Sequence, residues 1–227
     1  MDKQWNLYAD TNKYSELIIP DFIKKLKKPA QKIKIIRFLK LLMRLGPELH
    51  RPYADLLQKG IYELRIKIGG NHLRILYNFI KMNNIILTQA FYKNQDKIPQ
   101  IIIRHTLSQV ETYHKQIENG NILPKYFISI HDFIDELFNE NDFVNTYVQN
   151  CEICEYIVKL VSRIYKQNLS IEKIAAMLDI ELNSLTMLEQ GEKCRPDIIL
   201  KLSKFLNMPI SGTCKKLNAY INKNTPG

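Results

Sequence analysis

Apolar runs long enough to cross a bilayer are missing from this sequence of 227 residues, and residues 1–5 do not have the pattern of a signal peptide. Cysteine is scarce. Cys151 and Cys154 have the spacing of half a zinc site, and neither of the other two cysteines completes it. From these absences we expect no membrane partner, no metal and no cofactor, and a cytoplasmic protein whose thiols are reduced. The length suits two small domains.

Charge is distributed unevenly along the chain, which has a formal net charge of +10. Lysine and arginine are in excess over residues 1–122, whereas aspartate and glutamate are in excess over residues 123–150. A basic first half predicts a nucleic-acid partner. The acidic segment that follows has the charge needed to mask a basic surface.

Three β-patterns joined by turn signals occupy residues 60–97. In the first, Glu63, Arg65 and Lys67 alternate with apolar residues and so share one face. The Gly-Gly-Asn sequence at 69–71 suits a tight hairpin, and further runs follow at 72–80 and 85–93. We predict an antiparallel meander that presents Arg65, Arg74 and Lys93 close together on an open surface. Glu63 is the one acidic residue expected near them.

Helical periodicity flanks the meander. It predicts a helix over residues 21–28, a second over residues 33–43 that ends at Gly46-Pro47, and a third that begins at Pro99. We expect the third helix to cover the apolar face of the sheet and residues 5–8 to form an edge strand.

Six short motifs follow one another between residues 45 and 99. They are Leu45-Gly46-Pro47-Glu48-Leu49, Arg51-Pro52, Gly60-Ile61-Tyr62-Glu63-Leu64-Arg65, Leu73-Arg74-Ile75-Leu76-Tyr77, Ala90-Phe91-Tyr92-Lys93 and Ile98-Pro99. In this order and spacing, residues 1–120 resemble the HigB-like branch of the RelE toxin superfamily. Its members are messenger-RNA endonucleases of toxin–antitoxin pairs, and most cut RNA on the ribosome. The resemblance implies an α+β RelE-like domain, with a helical hairpin on an antiparallel sheet and a C-terminal helix.

The resemblance also implies roles for individual residues. By position, Arg65 is expected to bind phosphate, Arg74 to stabilise transition-state charge, and Lys93 to belong to the basic segment after the last strand. Lys97 or Tyr92 is the candidate for the acid. The expected catalytic residues are thus Arg65, Arg74, Lys93 and Lys97, and the expected RNA-binding residues are Lys67 and Tyr92.

Two departures from the family's pattern leave an alternative open. Asn94 stands where a second basic residue is common, and neither Tyr nor His closes the site near Pro99. In this alternative, Arg65 and Arg74 are ordinary charged residues on the solvent-exposed face of a half-buried sheet.

Residues 121–150 are predicted to form an acidic, amphipathic connector. Phe133, Ile134 and Leu137 fall on one helical face, with Asp132 and Asp135 beside it. One hypothesis is that residues 125–148 cover the basic groove of the toxin-like domain in cis, helped by the high effective concentration that a tether gives. The alternative is a helix that packs only against the C-terminal domain.

Residues 151–227 are predicted to form a helical domain. Ser170 is a candidate N-cap, and the pattern from Leu169-Ser170 through Ala175 to Leu188-Glu189-Gln190-Gly191 resembles the helix-turn-helix of the Xre/Cro family, to which HigA antitoxins belong. Such a module lays its second helix in the major groove of DNA. The expected DNA-binding residues are Asn183, Ser184, Thr186, Met187, Gln190, Lys193 and Arg195. Alternatively the domain only packs against protein, because no Lys or Arg lies on the second helix.

Together these patterns predict a toxin–antitoxin fusion: a ribosome-dependent messenger-RNA endonuclease at 1–120, a connector at 121–150 and a DNA-binding antitoxin-like domain at 151–227. The expected partners are messenger RNA on the ribosome and operator DNA. A second copy of the chain, bound through the C-terminal domain, is a further candidate. The alternative is a non-catalytic transcriptional regulator whose toxin-like domain is degenerate.

Overall fold

A computed structural model describes residues 4–10, 19–68, 70–81, 83–93, 98–118, 127–138, 151–191, 194–210 and 219. The chain forms two compact units, Met1–Asn141 and Asp142–Gly227. In the described residues the first unit is α+β and the second is helical. None of the described helices has both the length and the apolar character that a membrane span requires.

The first unit is built on a six-stranded sheet in the order β2-β3-β4-β5-β1-β6. The strands are β1 (Asn6–Asp10), β2 (Ala54–Gln58), β3 (Ile61–Ile68), β4 (Asn71–Ile80), β5 (Asn84–Tyr92) and β6 (Phe127–Ser129). Because β1 runs parallel to β5 while the other neighbours are antiparallel, the sheet is mixed. The expectation of an antiparallel sheet therefore holds only for β2 to β5 and for the β1–β6 pair.

The predicted meander is present with nearly the predicted bounds. Its hairpins follow the turn chemistry of the sequence, since Gly70 has a φ of +88° and Asn83 a φ of +57°, both left-handed values. Strand β2, which the sequence patterns did not predict, precedes the meander and pairs with β3. Lys59 and Gly60, both with positive φ, form the turn between these two strands.

Helices pack on both faces of the sheet. They are α1 (Ile19–Lys25), α2 (Pro29–Leu45), α3 (Gln100–Glu118) and α4 (Ile130–Phe138). Phe22 of α1 contacts the ring of Tyr92, whose strand partner is Leu73, so α1 lies on the apolar face of the meander. Helix α2 contacts α1 and β3 and ends at Gly46, which has a φ of +49°.

Helix α3 lies on the other face, which corrects the prediction that it covers the apolar one. Its Ile103 is buried against Ile61 and Leu76, which alternate with the apolar residues of β3 and β4. These two apolar side chains interrupt the charged face that the alternation predicted. Part of that face is therefore a second core layer beneath α3 instead of an open surface.

Strand β6 and α4 belong to the first unit, although they fall inside the predicted connector. Strand β6 pairs with β1, so β1 lies inside the sheet and is not the edge strand that was predicted. In α4, Ile130, Phe133 and Ile134 are buried, and the Lys24 ammonium of α1 lies 5.6 Å from the centroid of the Phe133 ring. Burial of this apolar stripe against β1 draws the acidic helix onto the sheet domain.

The second unit contains four described helices: α5 (Cys151–Lys166), α6 (Ile171–Leu178), α7 (Leu182–Glu189) and α8 (Pro196–Phe205). Ser170 caps α6 as predicted, its hydroxyl oxygen accepting from the Lys173 N–H at 3.2 Å. Asp179 follows in the left-handed conformation and turns the chain toward α7. The unit has a core of its own, with Leu160, Ile174, Leu185, Leu188, Ile199 and Leu202 buried.

Candidate functional site

Arg65 and Arg74 are direct cross-strand partners on β3 and β4. Side chains of directly opposed residues project from the same face of a sheet, with Cβ atoms about 5 Å apart. The sequence prediction that these two guanidinium groups share one face is therefore met by the register of the strands. The next residue in this row is Phe91 of β5.

The carboxylate of Glu63 joins the two arginines. Its Oε1 lies 2.6 Å from Arg65 Nε, and its Oε2 lies 2.9 Å from Arg74 Nε. Glu63 is only 3% exposed and Arg74 only 8%, whereas the Arg65 side chain keeps 30% of its surface exposed. Arg74 also donates through Nη1 to the Leu73 carbonyl at 3.2 Å. The prediction of two guanidinium groups offered to solvent is thus wrong for Arg74.

A second carboxylate extends the ion-paired row to the edge of the sheet. Asp55 of β2 lies opposite Glu63, and its Oδ2 is 3.1 Å from Arg65 Nη2. The same oxygen accepts from Arg51 Nε at 2.9 Å. Arg51, Asp55, Arg65, Glu63 and Arg74 therefore alternate in sign. Asp55 was not foreseen beside the arginines because residues 54–58 were not recognised as a strand.

Burial sets the electrostatics of Arg74. Loss of hydration lowers the pKa of its guanidinium, the charge of Glu63 raises it, and the neighbouring charge of Arg65 lowers it. Because arginine stays protonated even in buried sites, the group remains a cation. Because Arg74 is buried, water screens its positive charge less than at the surface, and its interaction with nearby charges is stronger.

The adjacent row on the same face is more exposed and wholly basic or neutral. Lys67 and His72 are cross-strand partners, and the Lys93 N–H donates to the His72 carbonyl at 2.7 Å. Partial burial lowers the pKa of His72, and the charges of Arg74, Lys67 and Lys93 lower it further. His72 was not among the predicted site residues. Counting the register back from Gly69-Gly70 would have placed it opposite Lys67.

One of the predicted residues, Tyr92, does not lie on this face. Tyr92 is the partner of Leu73 and contacts Phe22, so it lies on the opposite, apolar face and not with the arginines. Lys97 lies outside the described residues, as does Asn94. Of the expected catalytic and RNA-binding groups, Arg65, Arg74, Lys67 and Lys93 thus share one surface.

Helix α4 packs against β1 and β6, at the side of the sheet away from this surface. Strand β1 is three positions from β3 in the sheet order, which corresponds to about 14 Å. Asp132 and Asp135 of α4 are exposed. The described part of the predicted masking segment therefore does not cover the arginines. Residues 139–150 of that segment lie outside the described residues. The alternative, packing only against the C-terminal unit, is also wrong for α4.

In the second unit, the expected DNA-binding residues form a mixed surface. Asn183 and Met187 of α7 are exposed, while Ser184, Thr186 and Gln190 are partly buried. The Thr186 hydroxyl donates to the Leu182 carbonyl at 3.0 Å. Glu189, at the end of α7, accepts from the hydroxyl of Tyr165, which ties this carboxylate to α5.

The basic residues near α7 differ in what they contact. Arg195 pairs with Asp197 through two bonds of 3.0 and 2.9 Å, and this hydrogen bonding holds the pKa of the Asp197 carboxyl below its usual value. Lys201 donates to the carbonyls of Leu178 and Asp179 at the end of α6. Lys193 lies outside the described residues.

The fold and the charged rows define an α+β domain with a basic face. Residues 21–110, from α1 to the middle of α3, match the family model described as "Phage derived protein Gp49-like (DUF891)". This family is RelE/HigB-like, and the matched residues all lie in the first unit. No curated protein matches the sequence.

Proposed function

We propose that the first unit is a ribosome-dependent messenger-RNA endonuclease of the toxin–antitoxin type. The observation that carries the proposal is the direct opposition of Arg65 and Arg74, joined by Glu63, within a segment that matches a toxin family. Paired guanidinium groups suit a phosphodiester because their planar N–H donors match its oxygens.

The chemistry assigns different tasks to the two arginines. RNA cleavage requires an activated 2′-hydroxyl, compensation of the charge that grows on the phosphate, and a proton for the departing 5′-oxygen. Arg65, being more exposed, binds the incoming phosphate. Arg74, fixed by Glu63 and by the Leu73 carbonyl, supplies a preorganised charge that needs little rearrangement in the transition state.

The second unit is, in this proposal, an antitoxin-like DNA-binding domain fused to its toxin. Its α6–turn–α7 arrangement, with Asp179 at the turn, is compatible with a helix-turn-helix. Asn183 and Gln190 can pair with adenine edges, and Thr186 can contact a thymine methyl group. The second unit restrains the nuclease in cis, and operator DNA and ribosome-bound messenger RNA are the partners.

One observation favours the alternative function, a transcriptional regulator with a degenerate toxin domain. Each arginine already has a carboxylate partner, and Arg65 has two, Glu63 and Asp55. An RNA phosphate has to compete with these carboxylates or bind the N–H groups that they leave over. A toxin-like domain that no longer binds RNA would keep such a network for stability alone.

The test compares the full chain with residues 1–141, the first compact unit, because a fragment ending at 120 would lose β6 and α4. Each is added to translating ribosomes, and message cleavage is mapped by primer extension. The proposal predicts that 1–141 cleaves and that adding the separate second unit inhibits it. A folded fragment 1–141 that leaves the message intact would favour the regulator.

A further inference from the structure

We propose that His72 is a catalytic residue of this site, taking the proton from the 2′-hydroxyl of the nucleotide whose phosphate Arg65 and Arg74 hold. This inference rests on the proposed nuclease function and deepens it. The position where the family's pattern has Tyr or His, near Pro99, has neither in this chain. Tyr92, one candidate for a proton-transfer group, lies on the opposite face of the sheet, whereas His72 lies on the face of the two arginines.

The register places His72 next to the paired arginines. It lies two residues before Arg74 on β4, on the same face, and opposite Lys67 of β3. Residues i and i+2 of a strand are about 7 Å apart, so the long side chains of His72 and Arg74 can both reach one phosphate and the 2′-hydroxyl next to it. His72 is exposed, so a nucleotide can reach its ring.

The charged groups around His72 keep its ring in the form that a base needs. Lys67 on β3, Arg74 on β4 and Lys93 after β5 all face it, and each positive charge opposes a second positive charge on the imidazole. Loss of hydration on partial burial is the largest cause that lowers the pKa of His72 below its ordinary value of 6.5, and these positive charges lower it further. The neutral imidazole, which can accept a proton, is therefore the dominant form at pH 7.

Among the other histidines, His105 is the one that can be compared directly, because α3 also carries it to this face of the sheet. Its Nδ1 lies 3.3 Å from the amide nitrogen of Gln89, which is the strand partner of Leu76. The row of Leu76 is on the side of Arg74 away from Lys67 and Lys93. His105 is thus a matched control, because it is a histidine on the same face that does not lie in the row of Lys67 and Lys93.

The step balances without a co-reactant other than water. His72 accepts the proton of the 2′-hydroxyl, and the 2′-oxygen forms a bond to phosphorus while the bond to the 5′-oxygen breaks. The products are a 2′,3′-cyclic phosphate and a 5′-hydroxyl end. The departing oxygen takes a proton from water, and the imidazolium neutralises the hydroxide that remains. Lys67 and Lys93 stabilise the negative charge on the phosphate during this step.

The test measures single-turnover message cleavage on ribosomes between pH 5 and 8 by residues 1–141, the compact first unit without the restraining second unit. For the wild type, the rate should rise through a pKa below 6.5 and then level off, and titration of the His72 ring by NMR should give the same pKa.

His72→Asn should lower the plateau by about 10²- to 10⁴-fold, the usual contribution of a general base. It should also abolish the inflection, whereas His105→Asn should change neither feature. Added imidazole should restore part of the activity of His72→Ala.

The outcomes separate this inference from the proposed function. A wild-type fragment 1–141 that cleaves and a His72→Asn fragment with the same rate and pH profile would overturn the role of His72 alone. The same conclusion would follow if His72→Lys kept the wild-type rate, because an ammonium group is not a base at this pH. A folded wild-type fragment 1–141 that cleaves no message would overturn both proposals.

Discussion

The carboxylate of Glu63 lies 2.9 Å from the guanidinium Nε of Arg74, and both side chains are almost fully buried on one face of the sheet. Removing one partner of a buried ion pair leaves a charge without compensation, which costs about 3–5 kcal/mol. We therefore predict that Glu63→Ala lowers the free energy of unfolding by about that amount in urea titrations of the full chain.

Two controls separate this effect from simple loss of packing. Asp55→Ala, which breaks the more exposed pairs with Arg51 and Arg65, should cost no more than about 1 kcal/mol. The double variant Glu63→Leu with Arg74→Met should be more stable than Glu63→Ala, because neither charge is left in the interior. Equal losses for Glu63→Ala and Asp55→Ala would contradict the buried position of this pair.

The lowered pKa of His72 makes the stability of the first unit depend on pH. A group whose pKa is lower in the folded than in the unfolded chain binds fewer protons when folded, so acid favours unfolding. Stability should therefore fall as the pH drops from above 6.5 through the folded pKa of His72. We predict that the stability of the wild type relative to His72→Asn is lower at pH 5 than at pH 7.5. A difference that stays constant with pH would show that neither burial nor the nearby cations lower the pKa of this ring.

Asp179 tests the turn between α6 and α7. Its φ of 49° and ψ of 58° are left-handed values that glycine adopts without strain. We predict that Asp179→Gly raises the stability of the second unit by about 0.5–1 kcal/mol, whereas Asp179→Ala lowers it. Both variants lose the same charge, so the difference between their calorimetric transitions isolates the backbone effect. Two identical transitions would mean that the turn does not require this conformation.

DNA binding by the second unit can be tested with a random-sequence duplex pool. If the full chain selects a sequence, Asn183→Ala should reduce the preference for that sequence over random DNA by about 1–3 kcal/mol, because it removes a base contact. Lys204→Ala, which removes an exposed positive charge, should instead weaken binding to all sequences and reduce the salt dependence. Failure to select any sequence would favour a domain that binds only protein.

The sequence predicted the local features of this fold well. Alternation in β3 and the glycines at 69 and 70 indicated the meander, and from that meander the convergence of Arg65 and Arg74 could be predicted. Gly46 and Ser170 correctly marked the end of α2 and the beginning of α6. Each of these signals involves residues close in the chain, where backbone preferences and hydrogen bonds decide the structure.

The features that the sequence did not predict depend on contacts between distant segments. Strand β2 is short, and pairing with β3 is what brings Asp55 beside Arg65. Glu63 and Arg74 look like solvent-facing residues in an alternating pattern, but α3 packs on their face and helps to bury it. The acidic α4 looks like a free connector, yet it is held by β1. Charge pattern alone could not choose among these arrangements.

The measurement closest to the central claim is ribosome-dependent message cleavage by residues 1–141 carrying Arg74→Lys. Lysine keeps the positive charge but lacks the planar set of N–H donors of arginine. The rate constant should therefore fall about 10²-fold, as expected when one preorganised hydrogen-bond donor is lost. Arg104→Lys, at an exposed position on α3, is the control and should cleave like the unmodified fragment. If Arg74→Lys remains folded and cleaves as fast as Arg104→Lys, the arginine pair is not the catalytic centre.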